Sequence, residues 1–144
     1  MEQFSVRDQL IEVVHKLFIY TDEQEWEKLQ NEVFTKEIWF DMSSLGAEAK
    51  TMQAKEVCDM WQSGFAGIDA VNHLSGNHLV TINGAEADVF TYATATHYKK
   101  AAQQGNTRTF VGTYALHLLQ TQHGWRINAF QYNLKYMEGN LEWK

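Results

Sequence analysis

The stretch that decides the fold is residues 71–82, VNHLSGNHLVTI, in the middle of the chain. Its even-numbered apolar residues predict a strand with one apolar face: Leu74, Val80 and Ile82. Strict alternation would place His73 on the opposite face. The pair Gly76–Asn77, however, predicts a bulge, because one extra residue at this point reverses the alternation. With that bulge, His73 points toward the core at the mouth of the sheet.

His73 has two interpretations at this stage. A histidine on the core side of a strand is commonly a structural residue that satisfies its own hydrogen bonds. The alternative is a functional residue at the open end of the sheet, where a pocket can form. Both interpretations stay open on the residues alone.

Composition predicts a single folded domain over residues 1–144. Apolar residues make up 44% of the chain and aromatic residues 13%, which is typical of a globular protein and not of a disordered one. The length suits one core. The single cysteine, Cys58, excludes an internal disulfide, and its helical spacing from apolar neighbours favours a small buried residue.

The charge of the chain disfavours some classes of binding partner. The net charge is −6 with only three arginines, so nucleic acid and anionic membranes are poor candidates. No apolar run approaches the length of a membrane span, and no basic segment followed by an apolar run marks a signal peptide. We therefore expect a cytoplasmic protein.

The order of patterns predicts an α+β fold. Helical periodicity covers residues 6–21, 23–34 and 52–63, a short strand covers 37–42, and a loop covers 43–50. After the 71–82 strand, three more long strands follow at 87–100, 109–121 and 125–137. We expect three N-terminal helices packed on the concave side of a curved, mostly antiparallel sheet.

Asp22 lies at the joint between the first two predicted helices. Together with Glu25, three residues later, it matches a helix-capping pattern. An N-cap aspartate contributes about 1 kcal/mol without any catalytic role. The joint is also a natural rim for a pocket, so a functional role for Asp22 stays open.

Five short motifs together resemble the SnoaL-like branch of the NTF2-like superfamily, whose members share a cone-shaped, cystatin-like α+β fold. They are YTDEQEWEKL (20–29), VFTKEIWFD (33–41), NHLSGN (72–77), YATATH (92–97) and GWRI (124–127). The resemblance covers nearly the whole chain, and it depends on the order and spacing of the motifs. This fold supports many reactions, so it does not define the function.

Within that branch, the pattern is similar to scytalone-dehydratase-like and polyketide-cyclase-like proteins. The resemblance implies His73, Asp22 and His97 as catalytic residues, with no cofactor. A pocket tyrosine of the dehydratases falls at Asp41 here, or at Phe40 if the alignment shifts by one residue, and two polar positions of their fourth strand fall at Gly112 and Tyr114. These departures make scytalone itself an unsuitable substrate.

An Asp–His pair is a suitable general base, because the carboxylate orients the imidazole and stabilises its charged form. Tyr20, Tyr114 or His97 could donate a hydrogen bond to a developing oxyanion. Four aromatic residues are candidates for the apolar walls of the pocket, although each is also typical of an ordinary core: Trp39, Trp61, Phe65 and Phe130. The chain offers too few further ligands for a zinc site, so we expect no metal.

Two functions remain open. The first is a cofactor-free lyase or isomerase that acts on an apolar carbonyl or polycyclic compound. The second is a non-catalytic module that binds an apolar small molecule or dimerises. One strand face is expected to point away from the pocket and to contribute to a homodimer. It consists of Val111, Thr113, Ala115, His117 and Leu119.

Overall fold

The computed structural model describes residues 3–143. Two full helices, α1 (Val6–Asp22) and α3 (Ala54–Gly64), flank one short helical turn, α2 (Trp26–Lys28), which continues as a π-helix (Leu29–Val33). Six strands complete the fold: β1 (Phe34–Asp41), β2 (Lys50–Gln53), β3 (Ala70–Asn83), β4 (Glu86–Tyr98), β5 (Thr107–Thr121) and β6 (Gly124–Gly139). A 3-10 turn (Ser43–Leu45) follows β1.

The six strands form one curved sheet in the order β2-β1-β6-β5-β4-β3. All neighbours are antiparallel except β1 and β6, which are parallel. The predicted α+β class and mostly antiparallel sheet are therefore confirmed. We call the side of the sheet that packs against α1 and α3 the inner face, and the other side the outer face.

The second predicted helix is the main difference. Residues 23–25 leave helical geometry, since Gln24 has a φ of 56°, and only the part from Trp26 onward is helical. The count of three helices is thus only partly matched. Ser5 caps α1 through a hydrogen bond from the Asp8 backbone N–H. Asp22 caps nothing and instead forms the last residue of α1.

Strand β2 lies in a segment that the sequence assigned partly to a loop. Its four residues pair with β1 at the edge of the sheet, and two of them are exposed. A strand this short shows no clear alternation, which is why the pattern alone did not indicate it.

The bulge in β3 is present. Gly76 pairs with Tyr92 and Leu79 with Phe90, so two residues of β3 face one residue of β4. The residue with left-handed geometry is Asn77, with a φ of 59°, and not Gly76. Asparagine tolerates this region better than most residues. The bulge gives His73 and Val80 the same orientation, and Leu74 becomes 71% exposed on the outer face.

The core fills the space between the helices and the inner face. Its largest fully buried side chains come from both layers: Leu10, Leu17, Leu29, Ile38, Leu116, Leu118 and Ile127. Cys58 belongs to this core and is 1% exposed. Between residues 3 and 143, no helix is long and apolar enough to cross a membrane.

Candidate functional site

A cavity of about 160 Å³ lies between α1, α3 and the inner face of the sheet. Apolar and aromatic side chains form most of its wall: Leu17, Phe18, Met42, Leu45, Trp61, Phe65, Ala95, Phe110 and Phe130. The polar side chains that reach it are few: Thr21, His73, His97, Tyr114 and Tyr132. An apolar enclosure with a few polar groups is typical of a small-molecule site.

Asp22 and His73 form a half-buried pair beside this cavity, in which His73 lines the wall and Asp22 lies behind it. Oδ1 of Asp22 lies 2.6 Å from Nδ1 of His73, and the side chains are 12% and 10% exposed, respectively. The other carboxylate oxygen accepts the backbone N–H of His73 at 2.8 Å. Because an ionised carboxylate only accepts hydrogen bonds, Nδ1 carries the proton. In the neutral form of the imidazole, Nε2 then keeps its lone pair, and the ring lines the cavity.

Local packing fixes the orientation of the His73 ring. Phe18 stacks on it with ring centroids 5.3 Å apart and an interplanar angle of 18°. Across the strand pair, the residue opposite His73 is Ala95, whose small side chain leaves the inner face open at this point. The pair of bonds to Asp22 and the stacked ring leave the imidazole little freedom to rotate.

His97 lies close to His73 on the neighbouring strand. It pairs with Val71, two residues from the pairing of His73 with Ala95, so the two histidines are diagonal neighbours on the inner face. Phe65 and Phe110 flank its ring, with centroids at 5.7 and 5.3 Å. The ring nitrogen Nδ1 of His97 accepts a hydrogen bond from Nε of Arg108 at 3.1 Å. Burial, followed by the charge of Arg108 and by that of His73 in its protonated form, lowers the pKa of His97 to about 4.

Two tyrosines complete the polar part of the wall. Tyr114 packs edge-on against Phe18 at 5.0 Å, and burial raises its pKa. Burial also raises the pKa of Tyr132 to about 12, so both hydroxyls stay protonated at neutral pH. The Tyr132 hydroxyl is buried with no hydrogen-bond partner among the described residues. Such a group costs about 1–3 kcal/mol unless a ligand or water satisfies it.

Three predicted binding residues lie outside this cavity. The hydroxyl of Tyr20 donates to Glu32 at 3.0 Å. Asp41 accepts the backbone N–H of Ser43 at 2.9 Å and so closes the turn after β1. Trp39 points to the outer face and is 47% exposed, because its neighbours Ile38 and Phe40 occupy the inner side of β1. By contrast, Trp61, Phe65, Phe130 and Tyr114 do line the cavity.

Several residues that line the cavity were not predicted from the sequence. Phe110 and Tyr132 share their strand faces with Tyr114 and Phe130, so strand alternation contains the signal for both. Arg108 requires more, because its contact with His97 depends on the register of the β4–β5 hairpin. Met42 and Leu45 come from the irregular segment after β1, for which no pattern predicts an orientation.

Two other kinds of site, a metal centre and a reactive thiol, find little support among the described residues. Among residues 3–143, no three His, Cys, Asp or Glu side chains cluster closely enough to hold a metal ion. Burial raises the pKa of the Cys58 thiol to about 11, which disfavours the reactive thiolate. The titratable groups that line the cavity are thus two histidines and two phenols, and the Asp22 carboxylate bonds to one of the histidines from behind the wall.

These features define a class: a small α+β protein with an apolar cavity between its helices and a curved sheet, and an Asp–His pair in the wall. A model of the SnoaL-like domain matches residues 2–131. The chain belongs to the SnoaL-like domain family, as the motifs predicted. No curated protein sequence shows significant similarity to it.

Solved structures share this fold. A protein from Kribbella flavida is 25% identical, covers 92% of each chain and superposes with a TM-score of 0.88. A proposed scytalone dehydratase from Novosphingobium aromaticivorans is 11% identical, covers 90% of this chain and 84% of its own, and has a TM-score of 0.79. A type 2 hexachlorocyclohexane dehydrochlorinase is 10% identical, covers 92% and 87%, and has a TM-score of 0.77. At these identities, the last two show the fold alone.

Proposed function

We propose that the protein is a cofactor-free lyase or isomerase in which the Asp22–His73 pair acts as a general base on an apolar carbonyl compound. The observation that carries this proposal is the 2.6 Å contact between Oδ1 of Asp22 and Nδ1 of His73, in a ring that lines an apolar cavity. A carboxylate–imidazole pair serves as a base because the carboxylate stabilises the imidazolium that forms.

The reaction begins at Nε2 of His73. This nitrogen takes a proton from the carbon next to the carbonyl, and the electron pair of the broken C–H bond moves toward the carbonyl oxygen. The oxygen becomes an enolate, which the donor groups of the cavity stabilise. His73 then returns the proton to a different carbon, which moves the double bond, or to a leaving group on the adjacent carbon, which completes an elimination.

The apolar wall supports this chemistry. The wall is mostly apolar, so hydrogen bonds to the developing charge act beside a surface of low polarity, where they are stronger than in bulk water. Similar folds occur in a proposed dehydratase and in a dehydrochlorinase, whose names describe eliminations. We draw the elimination and isomerisation classes from the Asp–His geometry, and these folds are compatible with them.

Deuterium exchange tests the base without the natural substrate. Cyclohexanone and acetophenone exchange the hydrogens next to their carbonyl with D2O when a base removes them. We expect the wild-type protein to accelerate this exchange above buffer, and His73→Gln to lose the acceleration while its circular dichroism stays unchanged. His15→Gln is the matched control, since His15 is an exposed histidine outside the cavity.

The same experiment separates the two functions. If the wild-type protein binds these ketones and does not accelerate exchange, the protein is a binding module and the general-base proposal fails. Acceleration that persists in His73→Gln would assign the base to another residue.

We also propose a homodimer through the outer face of the sheet. The predicted strand face alternates with the cavity-facing residues of β5, and exposed apolar side chains extend it on the neighbouring strands. Leu74 is 71% exposed, Leu79 68% and Tyr92 44%. A contiguous exposed apolar area of this kind is typical of a protein interface. Light scattering at tens of micromolar checks this: a dimer that Leu79→Lys converts to a monomer is expected, and a wild-type monomer contradicts it.

A further inference from the structure

The volume of the cavity suits a small ligand. It is about 160 Å³, close to the roughly 150 Å³ of an engineered apolar cavity in another protein that holds benzene. The space inside the wall therefore holds one six-membered ring with a small substituent, and it opens to solvent on one side. Among the apolar carbonyl or polycyclic compounds that the sequence suggested, a one-ring compound is the class that this space accommodates in full.

A hydrogen bond from Arg108 fixes which nitrogen of His97 carries the proton. Arg108 lies directly across the β4–β5 pair from His97, and its Nε donates to Nδ1 of the histidine at 3.1 Å. A guanidinium group has only donors, so Nδ1 must be the unprotonated nitrogen. A neutral imidazole with a free Nδ1 carries its proton on Nε2. His97 is therefore a hydrogen-bond donor, whereas His73 presents a lone pair.

The surroundings of Arg108 hold it in this position. Its guanidinium carbon lies 4.6 Å from the ring centroid of Trp143 and 5.6 Å from that of Phe110. Gly139 pairs with Arg108 across β6, and a Cβ there would lie 2.9 Å from the Arg108 Cα. Asn140 then anchors the following segment through bonds to the Gln103 and Gly105 carbonyls at 2.8 and 2.9 Å. These contacts place Trp143 over the guanidinium.

We propose that Arg108 is a positioning residue that keeps the His97 proton on Nε2, so that the cavity selects one-ring ketones through a fixed N–H donor. This inference rests on the proposed function and adds that the carbonyl compound lies between His73 and His97. The buried, unpartnered hydroxyl of Tyr132 is a second donor in the same wall. Two donors and an apolar ring pocket match a cyclic ketone, which offers one acceptor oxygen on an otherwise apolar ring.

The low pKa of His97 agrees with this geometry. Burial, the charge of Arg108 and that of His73 in its protonated form lower it to about 4, so the ring is neutral at pH 7. A neutral imidazole with an unprotonated Nδ1 still has one N–H, on Nε2, which can donate to an enolate.

A pair of ligands with the same shape tests the donor. Cyclohexanone and methylenecyclohexane differ only in C=O against C=CH2, and NMR shift titrations measure the affinity of each. We expect the wild-type protein to bind cyclohexanone about 3- to 10-fold more tightly, as one net hydrogen bond implies. Arg108→Met and His97→Phe should each lower the ratio at least about 2-fold, leaving the part that the Tyr132 hydroxyl contributes. Arg108→Lys, which keeps a cationic donor, should lower the ratio less.

The control is Arg7→Gln. It removes an exposed arginine that does not line the cavity, so the ratio of the two affinities should stay unchanged. A merely structural role for Arg108 would weaken both ligands equally and leave the ratio intact. The inference is overturned if the wild-type protein shows no preference, if neither ligand binds at millimolar concentration, or if Arg108→Met keeps the full ratio that His97→Phe loses. Since no turnover is measured, a protein that keeps this preference but fails in deuterium exchange retains the inference and loses only the general base.

Discussion

The two histidines of the cavity, His73 and His97, are diagonal neighbours on the same face of one sheet, yet their partners have opposite charges. The carboxylate of Asp22 accepts the Nδ1 proton of His73, and the guanidinium of Arg108 donates to Nδ1 of His97. The same side-chain nitrogen is therefore a donor in one histidine and an acceptor in the other.

This difference shows how one residue type provides two functions at one site. The partner that bonds to Nδ1 of each ring decides whether Nε2 carries a proton. His73 presents a lone pair suited to removing a proton, and His97 presents an N–H suited to stabilising the charge that results. Substituting either partner should remove the difference between the two histidines.

Removing the base should have the largest effect. His73→Gln keeps a polar side chain of similar reach but provides no titratable nitrogen. We expect it to lower protein-catalysed deuterium exchange of cyclohexanone by about 10²- to 10⁴-fold, the usual contribution of a general base. Mass spectrometry of the ketone measures the rate. A loss below about 3-fold would contradict the assignment of His73.

Substituting Asp22, the partner of His73, should give His73 the tautomer of His97, with the proton on Nε2. Asp22→Asn keeps the shape but has only one acceptor oxygen for two donors, the backbone N–H and Nδ1–H of His73. The amide NH2 can donate to Nδ1 and so move the proton to Nε2. We expect exchange to fall about 100-fold, near the lower limit for a general base. Unchanged exchange would show that the carboxylate does not act through His73.

A smaller effect is expected from filling the space beside Tyr132. A Cβ at Gly112 would lie 2.5 Å from the backbone oxygen of Asn133 and 2.6 Å from the Tyr132 hydroxyl. Gly112→Ala should therefore lower the free energy of unfolding by about 1–3 kcal/mol, as overpacking usually does. Gly76→Ala is the control, because nothing lies within 4 Å of its added Cβ. Denaturant unfolding measures both, and equal stabilities would contradict the close packing at Gly112.

The smallest expected effect is on stability at low pH. An unfolded histidine has a pKa near 6.5, whereas that of His97 is about 4 in the folded protein. Between these values the unfolded chain binds more protons, so the free energy of unfolding decreases as the pH falls from about 6.5 to about 4. Two charged or titratable groups cause part of the shift, Arg108 and His73.

Urea unfolding at several pH values measures this decrease. His97→Phe should show a shallower decrease than the wild-type protein over the same range, because its ring takes up no proton. Identical slopes would contradict the low pKa of His97.

Much of the fold follows from local patterns. The Ser5 cap, the four long strands and the bulge after Ser75 could be read from residue spacing, because each depends on neighbouring residues only. Strand β2 and the break at Gln24 could not, since the first depends on pairing with β1 and the second on one left-handed residue.

The site was predicted less completely, for a related reason. His73, Asp22 and His97 came from motifs that resemble a family, and the structure brings the three together. Tyr20 and Asp41 lie outside the cavity, where Tyr20 bonds to Glu32 and Asp41 to Ser43. Arg108 was missed because its role depends on the register between two strands and on packing against Trp143, which spacing does not reveal.

The protonation of the two rings is the central claim, and nitrogen-15 NMR of the histidine side chains measures it directly. At pH 7, the wild-type protein should show His73 with its proton on Nδ1 and His97 with its proton on Nε2, each assigned by His73→Gln and His97→Phe. In Arg108→Met, His97 alone should lose its single-tautomer signal. Two histidines with the proton on the same nitrogen, or a His97 that carries protons on both nitrogens at pH 7, would contradict the account.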